Sequence, residues 1–75
     1  GAELYLKPAG DYVRFDREVC FATVVEAARR RGELAIGFRQ PPRPGASGHG
    51  VVTNPEKSRR MRFGDRDSVI VLAEN

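Results

Sequence analysis

Cys20 and His49 are the single cysteine and the single histidine of the 75-residue chain, so any nucleophile–base chemistry would have to run through that pair. Cys20 stands beside apolar Phe21 on a helical pattern, where a lone cysteine is far more often core than nucleophile. Nothing in the spacing brings His49 to it, and no acidic residue is marked out to orient the imidazole. The run Gly45-Ala46-Ser47-Gly48-His49-Gly50 is rich enough in glycine to cradle a phosphate, but it lacks the Lys-Ser/Thr pair of a P-loop. It also precedes a strand pattern, which makes it a hairpin tip. Asp65, Asp67 and Glu74 could offer oxygens to a divalent cation, yet their spacing matches no calcium loop. Asp65-Arg66-Asp67 reads as a turn. These patterns give no catalytic residue and no metal site, and no cofactor is expected.

Arginine supplies the remaining candidate chemistry. Eleven Arg and two Lys face ten acidic residues, a net charge of +3. Arg29, Arg30, Arg31, Arg39, Arg59, Arg60 and Arg62 could form a basic surface. Modules that hold single-stranded nucleic acid interleave aromatic side chains on such a surface. Only Phe38 lies near this pattern, and its alternation assigns it to the core. Arg29, Arg30, Arg31 and Arg39 are therefore kept as a candidate anion or partner patch, with a small basic nucleic-acid-binding module as the alternative reading of the chain.

A chain this short buries only about 60% of the surface its unfolded form exposes. One cysteine allows no internal disulfide, and one histidine with one cysteine offers no structural zinc site. The missing stabilisation is expected from a partner subunit or from the rest of a longer protein, of which this chain reads as a fragment. Val69-Ile70-Val71-Leu72-Ala73 is a run of five apolar residues, where a spanning helix needs about 20.

The elements follow from periodicity. Ala2 to Lys7 alternates, with Leu4 and Leu6 on one face and Tyr5 on the other, and predicts a strand ended by Pro8-Ala9-Gly10. Tyr12 to Phe15 reads as a short extended approach to a helix. From Glu18 to Arg31, Phe21, Val24, Val25 and Ala28 recur at i, i+3, i+4 and i+7. Glu26 precedes Arg30 by four residues, three arginines close the last turn, and Gly32 follows as a C-terminal cap. Glu33 to Arg39 predicts a strand with Leu34, Ile36 and Phe38 on one face. The Pro/Gly-rich loop 40–48 leads into a strand at 49–54, and Asn54-Pro55 turns the chain. Residues 56–65, polar and basic and broken only by Met61 and Phe63, are expected to wrap the surface. Ser68 to Glu74 carries the β-branched run Val69-Ile70-Val71 and predicts a central strand buried on both faces. The expected fold is α+β: a small two-layer domain, residues 1–75, with a mostly antiparallel four-stranded sheet in the order β-α-β-β-β and one main helix. One helix covers one face of such a sheet, so the other is left for a second copy or a parent domain.

Three stretches together resemble a known family. They are Phe21 to Arg39, the strand and turn Val51-Val52-Thr53-Asn54-Pro55, and the acid-led closing run Asp67-Ser68-Val69-Ile70-Val71-Leu72-Ala73-Glu74-Asn75. The chain resembles the C-terminal end of Castor/Pollux-type ion channels of the bacterial branch. More broadly, it is similar to the C-terminal lobe of regulator-of-potassium-conductance (RCK, TrkA-C-like) domains. It departs from the pattern at Arg66, where the family carries glycine before the acid. The resemblance implies a non-enzymatic regulatory or ligand-sensing domain on the cytoplasmic side of the membrane, attached to a cation channel or transporter of potassium type. It implies pairing with itself as a dimer or in a gating ring, contact with the transmembrane pore and the N-terminal lobe of the parent chain, and an unidentified small ligand or ion.

Overall fold

The computed structural model describes residues 1–74. Asn75, the last residue of the closing run, lies outside them. Strand β1 (Ala2–Pro8) opens the chain and a 3₁₀ turn (Ala9–Asp11) follows it. Next come β2 (Val19–Cys20), α1 (Phe21–Arg30), β3 (Leu34–Arg39), β4 (Val51–Thr53), β5 (Arg60–Met61) and β6 (Ser68–Glu74). The main sheet has the order β1-β6-β3-β4 with every neighbour antiparallel, and β2 and β5 form a separate two-stranded ladder. This is the expected α+β domain with one helix and a four-stranded antiparallel sheet.

The apolar β6 sits inside the sheet, flanked by β1 and β3. Val69 and Val71 are fully buried against the helix layer, and Ile70 on the opposite face is 7% exposed. Helix α1 lays Phe21, Val24 and Ala28 on the same layer. Phe38 is the hub: Phe21 stands 6.1 Å away at a tilt, and Phe63 meets it edge-on at 5.5 Å. Offset and edge-to-face arrangements set the positive rim of one ring against the negative face of another.

Four local expectations are corrected. The helix begins at Phe21 rather than Glu18, because Val19 and Cys20 pair with Met61 and Arg60. No side chain caps α1; instead its first amides donate to carbonyls of a distant segment, Phe21 N to Arg59 O and Ala22 N to Lys57 O, each at 2.9 Å. Met61 and Phe63 do not ride on a surface wrap: both are buried, and β5 carries Met61 into the core. Tyr12 is not extended; its amide closes the 3₁₀ turn on Ala9 O. Finally, Leu34, Ile36 and Phe38 do not share a face. Ala35 pairs with Val71 and Gly37 with Ile70, so Ile36 is the extra residue of a β-bulge. The bulge turns Ala35 and Phe38 inward and leaves Leu34 outside. Gly37 permits it, since a Cβ there would lie 2.2 Å from Val52 O.

The helix ends as its sequence demands. Gly32 adopts φ +74°, its amide donates to Arg29 O, and Glu33 N donates to Ala28 O. A side chain at a left-handed position loses roughly 1 kcal/mol. Gly32→Ala is therefore expected to lower the unfolding temperature by about 4–8 °C, read by thermal circular dichroism.

Candidate interaction surface

The register of the sheet fixes what its uncovered face presents. Leu4, Leu72 and Leu34 lie side by side across β1, β6 and β3, and Leu6, Ile70, Gly37 and Thr53 form the next row. Leu4 is 60% exposed, Leu6 57% and Leu34 55%. No element of the described residues covers these rows, because α1 packs on the other side. Three exposed leucines in adjoining rows form a contiguous apolar patch of the kind that marks an interaction site.

A polar cluster braces the far side of the same sheet. Glu33, immediately after the helix cap, has a side chain only 6% exposed. Its Oε2 accepts from Lys7 Nζ of β1 at 2.5 Å, its Oε1 accepts from Tyr12 OH at 2.6 Å, and Arg31 Nε stands 3.5 Å from Oε1. Burial acts to raise the Glu33 carboxyl, but the hydrogen bonds from Lys7 and Tyr12 and the charges of Lys7 and Arg31 outweigh it and hold the group below the usual carboxylate range. Burial, followed by the hydrogen bond to Glu33, pushes the Tyr12 phenol well above its ordinary value. Arg31 also stacks its guanidinium 5.1 Å from the centre of the Tyr12 ring. The cluster joins β1, the 3₁₀ turn and the α1–β3 connection.

The candidate arginines are placed as follows. Arg29 makes a two-pronged contact with Glu26 at 2.7 and 2.9 Å, Arg30 Nε lies 3.6 Å from the same carboxylate, and Arg31 belongs to the Glu33 cluster. Each of the three thus faces a carboxylate of its own chain. Arg39 is at the opposite end of β3, about 16 Å along the strand from Leu34 at 3.3 Å per residue, and donates to His49 O at 3.1 Å. The structure groups the first three and sets Arg39 apart. Of the wider set, Arg59 lies over the Phe38 ring at 5.6 Å and Arg60 pairs with Glu18 at 2.7 Å.

Cys20 and His49 take up separate tasks. The Cys20 thiol sits 3.7 Å from Thr23 Oγ1, and the hydrogen bonds of Thr23 lower its pKa. His49 Nδ1 accepts from Val51 N at 3.2 Å and steadies the start of β4. Asp67 accepts from Gly64 N at 2.8 Å and from Gln40 Nε2 at 3.1 Å, as a turn residue does. A cleft of about 380 Å³ beside Tyr12 is lined in part by Arg14, Arg17 and Thr23. Both arginines face Asp16, at 2.8 Å and 3.5 Å. The Glu33 cluster was not foreseen from the sequence, because its partners lie 26 and 21 residues upstream.

An α+β domain with an apolar open face and a charge-braced back is a domain built for contact, and the comparisons with known proteins give its relatives. No family model matches the chain. It is 32% identical over 74 residues to the probable ion channel CASTOR of Oryza sativa subsp. japonica, covering 99% of this chain and 8% of that protein. It is 34% identical over 76 residues to the probable ion channel POLLUX of Arabidopsis thaliana, covering 100% of this chain and 9% of that protein. The probable ion channel SYM8 of Pisum sativum is 34% identical over 74 residues, 97% of this chain and 8% of its own length. The chain spans less than a tenth of the length of these curated relatives. Along nearly its whole length it is homologous to one segment of the Castor/Pollux ion channels. Among the described residues no helix is long and apolar enough to cross a membrane.

Proposed function

We propose that this domain is a regulatory lobe of a cation channel, of RCK C-lobe type, acting on the cytoplasmic side of the membrane. The observation that carries the reading is the end-to-end match to a short segment of proteins named as ion channels, by a domain with no spanning helix among its described residues. In this reading residues 1–75 are one domain of a longer chain, and the pore, of potassium type, lies elsewhere in that chain. The partners are further copies of the lobe, the N-terminal lobe beside it and the pore. The exposed leucines support it, since a lobe that transmits force must hold its neighbours through a packed face. A small ligand or ion that binds one arrangement of the lobes better than another shifts the channel between closed and open by that difference in affinity.

Single-channel recording of the full-length parent in planar bilayers, with symmetrical potassium chloride, tests this. Removing residues 1–75 is expected to change the open probability by about fivefold or more while leaving the unitary conductance intact. The double substitution Leu34→Lys/Leu72→Lys tests the same coupling with the domain in place, and is expected to move the open probability in the same direction. An open probability untouched by both changes overturns the regulatory reading, and a changed unitary conductance places the domain in the conduction path instead.

A further inference from the structure

Among the described residues, strand β1 is an edge strand, hydrogen-bonded to β6 alone. It is seven residues long and keeps an unbroken register from Ala2↔Glu74 to Pro8↔Ser68. Natural edges of this length are usually blunted by a bulge, by short length or by several charges. The bulge of this sheet is in β3, and the guards on β1 are the charges Glu3 and Lys7 and the terminal Pro8.

The ladder fixes which groups face outward. Ala9 N donates to Asp67 O at 3.0 Å, which continues the β1–β6 register by one step. In an antiparallel pair, hydrogen-bonded positions alternate. The odd residues Glu3, Tyr5 and Lys7 therefore bond β6, and Ala2, Leu4 and Leu6 direct their N–H and C=O groups to the open edge. Pro8 also falls on the outward set, where its missing N–H removes nothing from the β6 ladder.

The sequence of this edge reads as its own complement. Laid antiparallel to a second copy and centred on Tyr5, Glu3 faces Lys7, Leu4 faces Leu6, Tyr5 faces Tyr5 and Ala2 faces Pro8. The outward residues meet outward residues, so Leu4 and Leu6 exchange both hydrogen bonds with Leu6 and Leu4 of the second copy. Shifting the register by one residue opposes outward groups to inward ones and flips the side chains. Shifting by two keeps the bonding parity but loses both Glu3–Lys7 pairs and shortens the overlap. Opposite charges directly across from one another favour a pairing, and Lys7 keeps its bond to Glu33 while Glu3 approaches from the neighbour. The symmetry is that of a closed two-fold dimer, with the same patch used on both sides.

We propose that this chain pairs with a second copy through antiparallel addition of β1 to β1, centred on Tyr5, to form a continuous eight-stranded sheet. The two-fold axis runs perpendicular to the sheet, so both helices lie on one side and the leucines of both copies merge into one apolar strip on the other. The proposal deepens the self-pairing part of the reading above and gives it a strand, a register and a symmetry.

The test uses the purified chain by light scattering over a concentration series to about 1 mM, because a contact of this size is at the weak end of specific interfaces. The expected result is a monomer–dimer equilibrium. In Leu6→Pro the dissociation constant rises about tenfold or more, as each pairing loses two backbone donors. The Pro ring sits where no β6 bond is made, and circular dichroism checks that the fold is kept. A second measurement fixes the register. In a Cys20→Ser background, Tyr5→Cys lies opposite itself at a non-hydrogen-bonded site, with Cα atoms about 4.5 Å apart, and is expected to form a disulfide dimer under mild oxidation. Leu4→Cys alone is expected to remain uncrosslinked, and an equimolar mixture of Leu4→Cys and Leu6→Cys to yield the heterodimer. A monomer at every concentration overturns the proposal. A dimer indifferent to Leu6→Pro, with no crosslink at position 5, overturns the β1 pairing while leaving channel regulation by some other contact to the bilayer recordings.

Discussion

Replacing Phe38 by alanine leaves this chain without a cooperative unfolding transition at 25 °C. Phe38 is 1% exposed and makes the only ring contacts that join Phe21 at the start of α1 to Phe63 ahead of β6, among the described residues. Its backbone pairs with Val69 on one side and Val52 on the other, so the side chain hangs from the strand that links the centre of the sheet to β4. Truncating a buried phenylalanine destabilises by about 3–5 kcal/mol, part from lost transfer energy and part from the cavity that remains. A domain of this size holds roughly 4–11 kcal/mol at the usual stability per residue. With a single cysteine and no group of side chains placed to hold a metal among its described residues, this chain belongs at the lower end. The two magnitudes are equal within their spread, and that decides the outcome. Urea titration followed by circular dichroism reads it: a sloping, non-sigmoidal trace is expected for Phe38→Ala. Phe38→Leu, which retains most of the volume, should keep a sigmoidal transition at a lower midpoint. A Phe38→Ala protein that unfolds at the midpoint of the parent would show that the aromatic trio carries little of the core.

The elements that could be read from the sequence are those whose signal lies within a few residues. The stripe of Phe21, Val24, Val25 and Ala28 and the cap at Gly32 define the body and the end of α1, and the apolar run of β6 places it at the sheet centre. The start of α1 was not legible for a physical reason. Glu18 to Cys20 contains no helix breaker, and what holds them extended is a ladder with Arg60 and Met61, some forty residues on. The amides that a side chain would ordinarily cap are satisfied by Lys57 and Arg59 carbonyls from the same distant segment. Met61 and Phe63 did carry a signal, two apolar residues at strand spacing inside a basic stretch. Charge on both sides obscured it.

β3 shows the opposite case, a signal present but outweighed. Perfect alternation of Leu34, Ile36 and Phe38 predicts one face, while an isolated glycine inside a strand, here Gly37, is a mark of a bulge to which that reading gave no weight. The glycine was the better guide, since the approach of Val52 O admits no side chain there. The consequence reaches function: the bulge releases Leu34 to the open face, where it joins Leu4 and Leu72. The open face itself could be inferred from counting one helix against four strands. Which leucines occupy it could not.

Glu33→Ala is expected to destabilise the domain by about 2–3 kcal/mol, and the loss should carry a pH signature that no apolar substitution imitates. Removing one member of a buried ion pair strands the other, which costs about 3–5 kcal/mol when the remaining charge is fully enclosed. Lys7 is 29% exposed and recovers most of its hydration, so its share falls well below that range and the Tyr12 loss sets the scale. Tyr12 OH also loses its acceptor, and a hydrogen bond to a charged group is worth about 1.5–3 kcal/mol. The sign of the pH dependence follows from the two shifts. The Glu33 carboxyl is held below its unfolded value near 4.5, so its contribution is complete above that pH and is lost as the pH falls through the lower, folded value. The Tyr12 phenol is raised above its unfolded value near 10, so its contribution is complete below pH 10 and is lost as the pH climbs through the folded value. Denaturation midpoints measured from pH 3 to pH 11 should therefore form a plateau between about 5 and 10 with a fall on each side. Glu33→Gln should flatten the acid limb, because the amide does not titrate. Tyr12→Phe should flatten the alkaline limb and make the acid one shallower without abolishing it, because Lys7 and Arg31 still face Glu33. An acid limb of unchanged depth in Glu33→Gln would assign it to other carboxylates and reduce the cluster to a structural brace without a charge-dependent role.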